Sequence, residues 1–138
     1  MRQLVVAAVA VALLASGCVD ERPGSPRADA DGPTEFTIED TSIEVGPGET
    51  FTIAVGDNAS VGDDWSLREK PDADVVAIDG DYYVADPGEA NTDGGGGTHY
   101  FRFTAKAAGT TSVELLNCFR GCRDPEDERR YRIDIEVR

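Results

Sequence analysis

Past position 33, apolar residues recur at every second place, in short runs separated by Gly, Pro, Asp and Asn. Phe36 and Ile38 form the first run. Phe51, Ile53 and Val55 form the second, after the turn Gly46-Pro47-Gly48-Glu49. Trp65 and Leu67 follow, then Val75 to Ile78, Tyr82 to Val84, Phe101 with Phe103, and Val113 with Leu115. Tyr131, Ile133, Ile135 and Val137 close the chain on the same period. A period of two puts alternate side chains on opposite faces of a strand. No stretch in this region sustains the 3.6-residue period of a helix. Asp79-Gly80-Asp81 lies between two runs and carries the Asp-Gly signal of a hairpin turn. Seven to eight short strands with turn signals between them predict an all-β fold, an antiparallel β-sandwich of two sheets.

The first 33 residues follow another pattern. Residues 4–14 are an uninterrupted apolar run behind Arg2, too short to span a bilayer comfortably, and small residues follow. Residues 1–17 therefore read as a secretory signal peptide. Leu14-Ala15-Ser16-Gly17-Cys18 resembles the lipobox of prokaryotic lipoproteins, which implies lipidation of Cys18 as the mature N-terminus. The expected location is outside the cell, with the lipid anchored in the outer face of the cytoplasmic membrane. Cleavage as an ordinary signal, with Cys18 incidental, is the other reading. Val19 to Gly32 has two prolines, alternating charges and almost no apolar content. Such a segment buries too little surface to fold. Residues 18–33 are thus expected to be a flexible, lipid-anchored linker, about 45 Å long when extended. Residues 34–138 form one domain with a modest core.

Charge narrows the choice of partner. The chain has 13 Lys and Arg against 27 Asp and Glu, a formal charge of −14. Nucleic-acid binding needs basic phosphate contacts and is excluded as an expectation. Carboxylates are too common here to mark a catalytic pair. His99, the single histidine, has no Ser or Cys nucleophile that the sequence can assign to it. The chain is therefore read as a non-enzyme with no cofactor. Asp57, Asp63 and Asp64 are close together, but Ala59 and Val61 fall where a calcium loop needs oxygen ligands. The three cysteines are Cys18, Cys118 and Cys122. With Cys18 lipidated, Cys118 and Cys122 are left to pair as a disulfide in an oxidising compartment. A metal site would have only His99 to complete it, so none is expected.

Three segments stand out from the strand pattern: Asp57 to Asp64, Asp86 to Thr98, and Cys118 to Asp127. In the first, Asn58-Ala59-Ser60-Val61-Gly62 is followed three places later by Trp65. In the second, Gly94-Gly95-Gly96-Gly97 runs into the strand pattern Thr98 to Ala105. In the third, Phe119-Arg120-Gly121 lies between the two cysteines. Their order and spacing resemble the chagasin-like inhibitors of papain-type cysteine peptidases. That family carries Asn-Pro-Thr-Thr-Gly with an aromatic three places on, then Gly-x-Gly-Gly before a strand, then Arg-Pro-Trp. Here Ala59, Ser60 and Val61 replace Pro-Thr-Thr, and the third motif has lost its Pro and Trp. The resemblance covers roughly residues 34–138.

It implies an immunoglobulin-like sandwich that acts as a monomer on a papain-type cysteine peptidase. The loop from Asn58 to Gly62 would enter the cleft. Gly94 to Gly97 and Phe119 to Gly121 would grip either side, and inhibition would be reversible occlusion. Trp65 is expected to bury its ring against the core and hold the first loop on a fixed base. Asn58 and Gly62 are expected to supply special backbone angles. Asn58-Ala59-Ser60 is also a glycosylation sequon, and a glycan there would block the wedge. The other reading of the whole chain is a surface adhesion or ligand-binding module with the same fold.

Overall fold

The computed structural model describes residues 32–88 and 94–138. The expected signal peptide, Cys18 and all but the end of the expected linker lie outside the described residues. Eight strands build two sheets: β1 Thr34–Thr37, β2 Ser42–Val45, β3 Thr50–Asp57, β4 Trp65–Glu69, β5 Val76–Ala85, β6 Gly97–Ala105, β7 Gly109–Cys118 and β8 Glu128–Val137. One sheet has the order β1-β3-β6-β5 and the other β2-β8-β7-β4. The alternating apolar residues face inward and meet between the sheets, except along β5, where Ile78, Tyr82, Tyr83 and Val84 are exposed. Phe51, Ile53, Phe103, Val113, Leu115 and Ile133 are wholly buried. Phe51 stacks on Phe103 with centroids 5.3 Å apart, and Phe36 meets Phe51 edge-on at 6.0 Å. Both are preferred arrangements for aromatic pairs.

The sandwich is all-β, as the period of two requires, but its pairing is mixed. β1 lies parallel to β3, and β2 lies parallel to β8. The chain reverses through residues 38–41 while it passes from one sheet to the other. Asp40 closes this turn: its N–H donates to the Thr37 carbonyl, and its carboxylate accepts the Thr37 N–H at 2.8 Å. β1 and β2 therefore cannot pair with each other, and each lines the free edge of a different sheet. The remaining pairs are antiparallel.

The Asp-Gly hairpin is not formed. Residues 76–85 are one strand, and the register shifts between Ile78 and Gly80. Gly80 takes φ +114° and Asp79 is bulged, accepting a hydrogen bond from the Thr104 hydroxyl at 2.5 Å. One left-handed glycine serves a bulge as well as a turn, and pairing along the whole length of β6 favours the bulge. Ser42–Val45 forms a strand that the short alternation of Ile43 and Val45 did not announce. Eight strands result because one expected pair merges and one unexpected strand appears.

Candidate functional site

Three connections meet at one end of the sandwich: β3 to β4, β5 to β6, and β7 to β8. They are the three segments that departed from the strand pattern, called loops 1, 2 and 3 below.

Loop 1 is folded on itself. The Asn58 carbonyl accepts the N–H groups of Val61 and Asp63 at 3.1 and 3.3 Å, and the Ala59 carbonyl accepts that of Gly62 at 3.2 Å. The Asn58 Oδ1 accepts both the N–H and the hydroxyl of Ser60, at 3.2 and 2.5 Å. This is the local side-chain-to-backbone turn that asparagine favours. Gly62 has φ +112°, as expected. Asn58 does not have a positive φ; its part is played by its side chain. The same amide donates from Nδ2 to the Gly94 carbonyl at 3.1 Å, tying loop 1 to loop 2. A glycan on Asn58 would replace one of the two Nδ2 hydrogens and put a sugar beside this contact. Val61 is 53% exposed at the tip, a large apolar side chain held in solvent.

The base of loop 1 is fixed from both sides. The Asp63 carboxylate accepts the Asn58 N–H at 3.1 Å and the Asn117 Nδ2 at 2.9 Å. The Asn117 Oδ1 accepts the Asp64 N–H at 3.2 Å, and the Cys118 N–H donates to the Asp64 carbonyl at 2.8 Å. Asn117 is 3% exposed. Sequence reasoning missed both side chains. In the sequence, Asp63 suggests only a calcium ligand. Asn117 carried a usable signal: it follows Val113 and Leu115 on the core-facing period of β7, and a buried amide needs partners. Trp65 is half-buried rather than sealed in the core. Its ring lies 5.5 Å from that of Tyr131, and its Nε1–H donates to the Gly56 carbonyl at 3.0 Å, clamping the two ends of loop 1 together.

Loop 3 abuts loop 1. The Arg120 N–H donates to the Gly62 carbonyl at 2.8 Å. A Cβ on Gly62 would stand 2.8 Å from the Arg120 Cγ, so the two backbones meet where glycine leaves room. Cys118 and Cys122 form the expected disulfide, with Cα atoms 4.9 Å apart. Inside it, Arg120, Gly121 and Cys122 all take left-handed backbone, at φ 51°, 79° and 50°. Such angles cost a non-glycine residue about 1–2 kcal/mol each, so the ring and the bond to Gly62 hold the tip against its preference. The half-buried Phe119 ring sits beneath the Arg120 and Arg129 guanidiniums, at 4.9 and 5.4 Å.

In loop 2 the four glycines have different parts. Gly94 is exposed with φ +93°, and Gly96 lies against Asp86 and Asn58. Gly97 is buried at the start of β6. A Cβ there would run into the Val84 carbonyl and the Tyr83 ring. Close strand packing, not an outward contact, accounts for Gly97. The described part of loop 2 thus forms one ridge with loops 1 and 3, with Val61 exposed on its crest. Behind it, the two ring nitrogens of His99 face Asp57 at 3.2 Å and Asp81 at 2.6 Å, and the ring stacks on Phe101 at 4.6 Å. Its hydrogen-bond partners are carboxylates, with no hydroxyl or thiol among them.

The model of the family described as "Chagasin family peptidase inhibitor I42" matches residues 44–135. Chagasin from Trypanosoma cruzi is 32% identical over 102 residues, covering 65% of this chain and 90% of that protein. Among solved structures, amebosin superposes with a TM-score of 0.60 at 20% identity, over 75% of this chain and 96% of its own. The cysteine protease inhibitor EhICP2 from Entamoeba histolytica gives 0.59 at 17% identity, over 75% and 94%. PbICP-C, solved in complex with falcipain-2, gives 0.56 at 13%, over 77% and 91%. These structural likenesses establish the immunoglobulin-like sandwich shared with such inhibitors. The match of the family model across most of the domain shows more: the chain belongs to the chagasin family of peptidase inhibitors and is not an enzyme.

Proposed function

We propose that this protein inhibits papain-type cysteine peptidases by reversible occlusion, with loop 1 as a wedge in the active-site cleft and loops 2 and 3 against its walls. The observation that carries this is the ridge: a self-bonded loop with an exposed Val61 at its crest, tied by hydrogen bonds to a loop on either side. A loop ordered before contact does not have to surrender side-chain freedom on binding, which otherwise costs about 0.5–1.5 kcal/mol per immobilised side chain. The contacts fall to Asn58, Ala59, Ser60, Val61 and Gly62 in the centre, Gly94 to Gly96 on one flank, and Phe119 to Gly121 on the other.

The same bonds explain why the wedge is not a substrate. The carbonyls of Asn58, Ala59 and Gly62 already accept hydrogen bonds within the protein. A peptidase would have to break these bonds to draw the loop into an extended form. Cleft and catalytic thiol are blocked without any covalent step. The inhibitor acts as a monomer, held at the outer face of the cytoplasmic membrane by a lipid on Cys18. The apolar run before Cys18 and the sequence Leu14 to Cys18 support the tether.

Titration of papain with the purified protein tests the inhibition. Activity should fall stoichiometrically, return on dilution, and leave the inhibitor at its original mass. No loss of activity at any ratio, or cleavage within loop 1, contradicts the reading. For the tether, mass spectrometry of the membrane fraction should find a diacylglyceryl-modified Cys18 as the first residue. An unmodified thiol there contradicts it.

A further inference from the structure

Loop 3 and its exit into β8 carry three guanidiniums outside any ion pair, set among the carboxylates of Asp124, Glu126, Asp127 and Glu128. Arg68, Arg130, Arg132 and Arg138 each pair with a carboxylate. Among the described residues, no ion pair engages Arg102, Arg120, Arg123 or Arg129, although acids outnumber bases two to one along the chain. Three of these four guanidiniums belong to loop 3 and its exit into β8, and all three are exposed. The neighbouring acids are otherwise engaged or turned to solvent. Asp127 accepts the Asp124 N–H, Glu128 binds Arg130, and the Asp124 and Glu126 carboxylates are exposed.

Two of the three are ordered. Arg120 and Arg129 both stack on Phe119, which limits the rotamers they would otherwise lose on binding. The patch is also fixed relative to loop 1 by the bond from the Arg120 N–H to the Gly62 carbonyl. If loop 1 fills the cleft, this patch must face the adjoining wall. We infer that Arg120 and Arg129, stacked on Phe119, and Arg123 of the same loop form an anion-recognition patch selecting peptidases with Asp or Glu side chains on that wall. The inference rests on the occlusion reading above. Guanidinium suits the task because its planar fork can bind a carboxylate through two parallel hydrogen bonds.

The test measures association rates of the full chain with a papain-type peptidase that bears aspartates beside its cleft, and with a variant of it having those aspartates changed to Asn. Arg123→Glu and Arg129→Glu are compared with Arg102→Glu, which makes the same charge change on β6, away from the ridge. At low salt the two loop-3 variants should associate about tenfold more slowly with the acidic peptidase. The difference should shrink in high salt and against the Asn-bearing peptidase, while Arg102→Glu stays within about twofold of wild type. Equal slowing by Arg102→Glu, or no slowing by the loop-3 variants, overturns the patch and leaves occlusion standing. A wild type that inhibits neither peptidase removes both. Sedimentation with phosphatidylglycerol vesicles that depends on Arg123 and Arg129, with association rates unchanged, assigns the anion to lipid and also overturns it.

Discussion

At the scale of single residues, three glycines and a tryptophan separate shape from support. A Cβ on Gly62 would press 2.8 Å from the Arg120 Cγ and 3.2 Å from its N, and φ +112° disfavours any side chain. Gly62→Ala should cost about 1–3 kcal/mol. Its larger effect should be on binding, because relief of the clash moves loop 1 and loop 3 apart. The inhibition constant should rise at least about tenfold, the equivalent of about 1.4 kcal/mol. Gly97→Ala should act through the fold instead. It forces a methyl group into the Val84 carbonyl and the Tyr83 ring, an overpacking that costs about 1–3 kcal/mol. Denaturant titration beside an inhibition assay distinguishes the two glycines. Gly94, with φ +93° and its nearest neighbour at 3.8 Å, has strain but no clash, and falls between them. Trp65→Ala should destabilise by about 2–3 kcal/mol, below the 3–5 of a fully buried aromatic, because the ring is half-exposed. A loss outside that range in a chemical melt would contradict the support assigned to the Tyr131 contact and the Gly56 hydrogen bond.

At the scale of elements, loop 1 stands or falls with its supports. Asn117 is buried at the end of β7 and bonds Asp63 and the Asp64 backbone. Asn117→Ala leaves the Asp63 carboxylate and the Asp64 N–H short of partners, at a cost of about 1–3 kcal/mol. Asp63→Ala should not add to it fully, since both changes break one network. Additive losses across the double-mutant cycle would contradict a shared network. Loop 3 depends on its disulfide: Cys118→Ser with Cys122→Ser should lower stability by about 2 kcal/mol, small because the ring is short. The residual inhibition of that variant reports how far the left-handed tip keeps its shape through the Gly62 bond alone.

Most strands were legible in the sequence because burial on one face writes a period of two, as in Tyr131 to Val137. The motif residues of loop 1 were legible because Asn58, Gly62 and Trp65 keep a spacing. The roles were less so. The Asp-Gly at Asp79-Gly80 signals a left-handed glycine, and whether this makes a turn or a bulge is decided by the pairing of β5 with all of β6. Likewise the tie from the Asn58 Nδ2 to the Gly94 carbonyl joins positions 36 residues apart, and no local pattern records it. Gly97 looks like its three neighbours in sequence. Only the packing of Tyr83 and Val84 against it shows a different duty.

At the scale of the whole molecule, the sandwich divides its work between its interior and one end. Apolar side chains between the sheets supply stability, while the end that carries loops 1, 2 and 3 supplies shape. Stability and binding should therefore respond to different substitutions, since an exposed loop residue supports little of the core. The most direct test of this account is Val61→Arg, read by inhibition of a papain-type peptidase and by a melting curve on the same preparation. Val61 is 53% exposed at the crest of the ridge. A long charged side chain there should weaken inhibition by several kcal/mol, as changes at the centre of an interface do, and leave the melting midpoint almost unmoved. If Val61→Arg inhibits as well as wild type, loop 1 is not the wedge.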